Sequence, residues 1–156
     1  MNINPFEDED ILIHVQPVDA QNWRGVARLQ VSKTQQKFVA DPCYYLALCN
    51  YGGVWHPLAV QLGDQVIGFL MWGIDPADEA CWLGGILIDQ QHQRQGFGRR
   101  AVQAAIDLLN AQHGYQQFAV SYAPNNPASR LYQSLGFVET GELEEDELVA
   151  RLTRPA

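Results

Sequence analysis

The sequence predicts an α/β fold, with about seven strands in one mixed sheet and four helices on its two faces. Three observations point there. Seven short apolar stretches are bounded by turn residues, a 3.6-residue apolar period recurs in four segments between them, and the interleaved order β-α-α-β-β-β-α-β-α-β-β calls for a mixed sheet. At 156 residues and 47% hydrophobic content, the chain is the size of one domain, 1–156, able to bury a core without disulfide or metal staples. No repeat, low-complexity run or linker divides it, and residues 1–10 read as a frayed acidic tail.

The elements follow in order. Residues 11–15 read as a first strand and 22–32 as a helix with Val26 and Leu29 inward and Val31 as a third candidate. A second helix over 41–50 has Asp41 as N-cap and Pro42 in its first turn, with the run 43–48 mostly buried. Residues 58–62 and 66–74 form a hairpin across Gly63 and Asp64. The next strand, 81–88, is interrupted by Gly84 and Gly85. A helix over 98–112 places Val102, Ala105, Ile106 and Leu109 on one stripe and stops at Gly114. After a strand at 118–122, Asn126 and Pro127 cap a short helix carrying Leu131, Tyr132 and Leu135, which ends at Gly136. Residues 137–142 and 148–152 close the chain as a hairpin over an acidic turn.

Net charge is -8, which argues against a phosphate-backbone partner such as nucleic acid. It favours a cationic ligand. Residues 38–93 contain no Lys or Arg, but they contain Asp41, Asp64, Asp75, Asp78, Glu79 and Asp89. Cys43, Cys49 and Cys81 are odd in number and lack a C-x-x-C pair, so they read as buried thiols in a reducing compartment. No stretch reaches the roughly 20 apolar residues of a membrane span, and the start lacks a signal-peptide pattern, so a cytosolic protein is expected. His14, His56, His92 and His113 show no metal-ligand spacing, and no metal is expected.

Against this acidic background, Arg94, Arg99 and Arg100 crowd into seven positions between an apolar strand and a helix start. Gly96 and Gly98 let backbone N–H groups approach an anion, and the helix N-terminus adds its partial positive charge, so the segment reads as a phosphate cradle. Taken singly, Arg99 and Arg100 read equally well as a solvated helix face. Residues 96–101 also fit the dinucleotide fingerprint G-x-G-x-x-G/A, but context speaks against it. Seven residues separate strand from glycine, and no acidic residue for a ribose ends the next strand, where the chain reads Ser121, Tyr122, Ala123, Pro124.

The longer pattern Gln93-Arg94-Gln95-Gly96-Phe97-Gly98 resembles the Q/R-x-x-G-x-G/A signature of the GNAT N-acetyltransferase superfamily. A second segment, residues 125–137, resembles that family's N-x-x-A-x-x-L-Y-x-x-x-G-F, and the likeness extends over roughly residues 12–152. Within the superfamily the chain is most similar to bacterial diamine (spermine/spermidine) N-acetyltransferases, through residues 31–40, 57–60, 66–69 and the acidic hairpin at 141–143. The resemblance implies acetyl-CoA as co-substrate, a small-molecule amine as acceptor and a homodimer. A polyamine agrees with the acid-only stretch, since carboxylates attract a polycation.

The same resemblance implies the site residues. Backbone of Ile86, Leu87 and Ile88 would meet the pantetheine arm, with Gly84 and Gly85 allowing a bulge that splays the strand. Gln93, Arg94, Gln95, Gly96, Phe97, Gly98 and Arg99 would hold the pyrophosphate, and Asn125, Ala128 and Tyr132 would complete the cofactor site. Tyr132 would protonate the departing thiolate, a role suited to a phenol that stays protonated at neutral pH. Asp75 and Glu79 are the substrate-binding candidates. Some polyamine-acetylating relatives carry a carboxylate base on the strand before the phosphate loop, where this chain has Gly84 and Gly85. Waters leading to Glu79 or Asp75, or capture of already neutral amine, would have to replace it. Other amine acceptors, and a non-catalytic acetyl-CoA-binding module, are the competing readings.

Overall fold

The computed structural model describes residues 12–156. Its strands are β1 (Ile13–Pro17), β2 (His56–Leu62), β3 (Gln65–Ile74), β4 (Cys81–Ile88), β5 (Gln117–Tyr122), β6 (Val138–Glu144) and β7 (Glu147–Thr153), and its helices are α1 (Trp23–Ala27), α2 (Pro42–Tyr51), α3 (Phe97–His113) and α4 (Ser129–Ser134). One seven-stranded sheet runs β1-β2-β3-β4-β5-β7-β6, antiparallel except where β4 meets β5. This is the expected mixed sheet with four helices. The first strand lies two residues later than predicted, and Ile11 falls outside the described residues.

Each face buries its own cluster. On one side the α3 stripe of Ala101, Val102, Ala105, Ile106 and Leu109 packs on Val15, Leu58, Val60, Phe118 and Val120. Each large aliphatic side chain so buried contributes roughly 1.5–3 kcal/mol. On the other side, Val26 and Leu29 pack on Ala59, Phe69, Met71 and Leu87, with Tyr45 and Leu48 of α2 partly covered against them. Gly114, at φ 72°, ends α3 with its N–H on the Asn110 carbonyl. Among the described residues, no helix is long and apolar enough to cross a membrane.

Two expectations about the helices need correction. The helix predicted over 22–32 ends at Ala27, because tertiary bonds claim the backbone beyond it: Gln30 donates its N–H to Asp89 (2.9 Å) and accepts from Gln90 N–H (2.6 Å). Propensity yields to that pairing. In α2, Asp41 caps Cys43 N–H at 2.8 Å as expected, but the run 43–48 is not mostly buried, since Cys43, Tyr44 and Ala47 are exposed. A continuous apolar run wraps a helix all round, whereas only one side can face a sheet. Cys43 is therefore a surface thiol. Burial pushes Cys49 up to about 11 and Cys81 up to about 12, so those two stay protonated.

The far edge of the sheet is β6, exposed along its whole length. Arg151 of β7 ties this end to the β3–β4 loop, donating to Asp78 at 2.8 Å and to Glu142 at 2.9 Å. Asp78 also accepts from the Trp82 indole N–H at 3.2 Å. Burial alone would raise Asp78, but hydrogen bonds from Arg151, the Ala80 amide and Trp82 outweigh it and hold the carboxyl below its usual range. The Arg151 and Thr140 hydrogen bonds lower Glu142 as well. Depressed carboxyls stabilise the fold above the ordinary carboxylate range and lose that contribution as pH falls through their lowered values. Arg151→Met should therefore lower Tm at pH 7 by about 2–4 °C, for an Asp78–Arg151 pair contributing about 1 kcal/mol. The difference from the parent should close toward pH 2 in calorimetric scans.

Candidate active site

Strands β4 and β5 pair only at Cys81 with Phe118 and Trp82 with Ala119; beyond Trp82 they part. The cause lies in β4. Gly85 adopts φ 59°, and the register with β3 shifts between Phe69 and Met71, so the strand bends away after its first residues. A cavity of about 1190 Å³ occupies the split. The distal half of β4, Ile86, Leu87 and Ile88, forms one wall and Asn125, Ala128 and Tyr132 the opposite one.

At one end lies the loop between β4 and α3. Asp89 starts it, accepting from Gln91 N–H at 3.1 Å while its own N–H donates to the Ile67 carbonyl at 2.8 Å. Arg94 takes the left-handed conformation at φ 64° and Gly96 at φ 79°, which turns the backbone sharply into α3. The first helical bond runs from Arg100 N–H to the Gly96 carbonyl at 3.2 Å, so the preceding amides are those a helix leaves without internal partners. Arg94, Gly96, Phe97, Gly98 and Arg99 all line the cavity. A Cβ on Gly98 would meet Leu131 Cδ1 at 3.0 Å, so glycine lets α3 approach α4 at the mouth. Arg99 donates to Ser134 Oγ at 3.2 Å, which places its guanidinium across the same junction.

Tyr132 projects from α4 into the middle of the split, buried to 7% exposure. Its ring stacks on Tyr122 at 5.7 Å and meets Phe137 edge-on at 5.9 Å. Burial raises its phenol above the usual range, and the negative charge of Glu147 adds to that. It is a proton donor that does not ionise at neutral pH. Asn126 Oδ1 accepts from Ala128 N–H at 2.9 Å, fixing the turn into α4, and Asn125 faces the cavity beside it.

The other end is aromatic and acidic. Tyr45, Trp55 and Trp82 line it together with Asp75, Glu144 and Glu147. The Tyr45 ring stacks on Phe69 at 5.7 Å and its hydroxyl accepts from Ala40 N–H at 2.9 Å. Glu147 accepts from Ser121 Oγ at 3.0 Å.

Residues 23–137 match the acetyltransferase (GNAT) family. The chain belongs to that family. It is 28% identical over 139 residues to the spermine/spermidine N(1)-acetyltransferase of Bacillus subtilis, covering 85% of this chain and 91% of the relative. Among solved structures, the spermidine N-acetyltransferase of Vibrio cholerae in complex with CoA and spermine superposes with a TM-score of 0.69 at 20% identity, over 90% of this chain and 93% of that one. An aminoglycoside acetyltransferase in complex with coenzyme A gives 0.72 at 15% identity over 92% and 95%. At such identities the structural likeness establishes the fold.

Within this GNAT domain most of the expected site residues converge. Ile86, Leu87, Ile88, Gln93, Arg94, Gly96, Phe97, Gly98, Arg99, Asn125, Ala128 and Tyr132 share one cavity with Asp75. Gln95 and Glu79 lie outside its lining, both on the exposed surface. Asp75 reaches the cavity, although its Oδ1 already accepts from Ala77 N–H at 2.9 Å. Sequence reasoning missed Ser121, Glu144 and Glu147. The acidic turn before β7 was the only signal, and it becomes a site feature only once β7 is known to pair with β5.

Gln93 acts differently from the rest. Its side-chain amide donates to the Ile88 carbonyl at 2.9 Å and to Gln35 Oε1 at 2.6 Å, pinning the end of β4 and the 32–39 segment to the β4–α3 loop. Gln93→Ala should lower stability by about 1–2 kcal/mol in chemical denaturation. Amide hydrogen exchange should accelerate in residues 32–39 and leave the α3 core unchanged.

Proposed function

We propose that this enzyme transfers the acetyl group of acetyl-CoA to a primary amine of a polyamine such as spermidine or spermine. The observation that carries the reading is a single cavity with an anion cradle at one end, a carboxylate-lined aromatic end at the other, and Tyr132 between them. Acetyl-CoA is the donor for the family, and it supplies an activated thioester carbonyl.

The residues present fit that donor. The amides at the α3 N-terminus, with Arg94 and Arg99, suit a pyrophosphate, and the stretch of β4 that β5 leaves unpaired offers main-chain groups on that side to a pantetheine arm. Tyr132, held protonated by burial, suits donation to a departing thiolate. For the acceptor, carboxylates at Asp75, Glu144 and Glu147 attract a polycation, and the faces of Tyr45, Trp55 and Trp82 favour ammonium groups and methylene chains. The similarity to the Bacillus subtilis spermine/spermidine enzyme supports the same acceptor class.

Release of CoA thiol, followed against a panel of amines, tests this. Turnover with spermidine and spermine at low concentration is expected; turnover confined to amino acids, peptides or aminoglycosides would replace the acceptor. Glu144→Gln should raise KM for spermidine with little change in kcat. Tyr132→Phe should lower kcat by about 10²–10⁴-fold, far more than it lowers CoA affinity in calorimetry. Because the acid form is the active one and its pKa lies above the ordinary phenol value near 10, kcat should show no falling alkaline limb below about pH 10.

A further inference from the structure

We propose that Glu147, oriented by Ser121, is the group that takes the proton from the acceptor ammonium. This deepens the reading above and rests on it. A primary ammonium, with a pKa near 10, is almost wholly protonated at neutral pH, so its nitrogen has no lone pair until a base removes a proton.

Strand β4 cannot carry that base. Gly85 is left-handed, and a Cβ there would stand 3.3 Å from the Tyr45 ring; at Gly84 the Trp55 ring is equally close. These aromatic rings occupy the volume that a carboxylate on β4 would need, which leaves the opposite wall. Three carboxylates line the cavity. Asp75 is engaged by the amide of its own turn, and Glu144 has no structural hold among the described contacts. Glu147 alone is fixed by a side chain from inside the site, the Ser121 hydroxyl at 3.0 Å, which leaves its second oxygen available. Ser121 and Tyr122 are successive on β5 and project to opposite faces of the strand; both line the cavity and the Tyr122 ring stacks on Tyr132, so base and acid meet at β5 from its two faces. The charge of Glu147 is felt by both Tyr132 and Tyr45.

The step balances. An ammonium N–H bond breaks to the Glu147 carboxylate, and the freed lone pair forms a bond to the thioester carbonyl carbon. The carbon–sulfur bond then breaks, and sulfur takes the Tyr132 proton. The second nitrogen proton, surplus once the amide exists, restores the phenol, and Glu147 returns its proton to solvent.

Glu147→Gln keeps the Ser121 contact and removes the base. The ionisable groups facing position 147 are Tyr132, Tyr45 and Glu144, the last paired with it across the β6–β7 turn. Neither tyrosine ionises between pH 6 and 9. In this variant kcat with spermidine should fall about a hundredfold at pH 7. It should then recover about tenfold per pH unit toward pH 9, as solution supplies neutral amine, with a much flatter parent profile. Calorimetry should find weaker spermidine binding to the CoA-bound protein, unchanged CoA affinity and unchanged Tm. Ser121→Ala should show a smaller loss of kcat with the same pH trend. A loss below about threefold, or an equal loss at every pH, overturns the assignment while turnover by the parent upholds the acetyltransferase reading. No thiol release by the parent with any amine overturns that reading and this inference together.

Discussion

One failure of pairing organises this molecule. Two neighbouring parallel strands, β4 and β5, share only two residue pairs before diverging, in a sheet whose other neighbours pair over most of their length. An open edge inside a sheet leaves main-chain donors and acceptors without partners, which is costly unless something else meets them. Here the opening is held by residues that cannot close it. Gly85 bends β4, the Tyr122–Tyr132–Phe137 aromatic stack fills the β5 side, and α3 and α4 meet across the gap at Gly98. A ligand that lays an extended polar arm along β4 satisfies the groups the fold leaves unmatched.

The charges are sorted along the same axis. A protein with net charge -8 keeps Arg94 and Arg99 at one end of its cavity and brings carboxylates from the β3–β4 loop and the last hairpin to the other. In the proposed reaction an anionic donor and a cationic acceptor would be drawn to opposite ends with their reacting groups directed to the centre. The positions of both ends depend on loops tied down at a distance. Asp89 and Gln93 clamp the 30–39 segment to the β4–α3 loop, and Asp78, Arg151 and Glu142 clamp the hairpin to the strand that opens the site.

The glycine and arginine end of the cavity was readable in the sequence because its pattern is local. Gly96, Gly98 and the following helix act through consecutive backbone groups, so spacing alone exposes them. The same holds for the α3 stripe and for the Gly63–Asp64 hairpin, each decided by near neighbours. The carboxylate end is not local. Glu147 and Ser121 are 26 residues apart and meet only because β7 inserts beside β5, a choice of sheet order that periodicity does not encode. Glu79 misled for the same reason: it belongs to the acid-only stretch, yet its turn points it to the surface. The early end of α1 was invisible too, since the bonds that stop it come from residues 89 and 90.

A sheet that terminates in a bare strand offers a template on which another chain could grow. In this protein that strand is β6, and Glu139, Glu142 and Glu144 punctuate it. Two such borders approaching edge to edge would bring like charges into register, which opposes open-ended stacking of copies. The acidity that suits the cavity to cations thus also keeps the sheet finite, and acidification would remove that guard by neutralising the carboxylates.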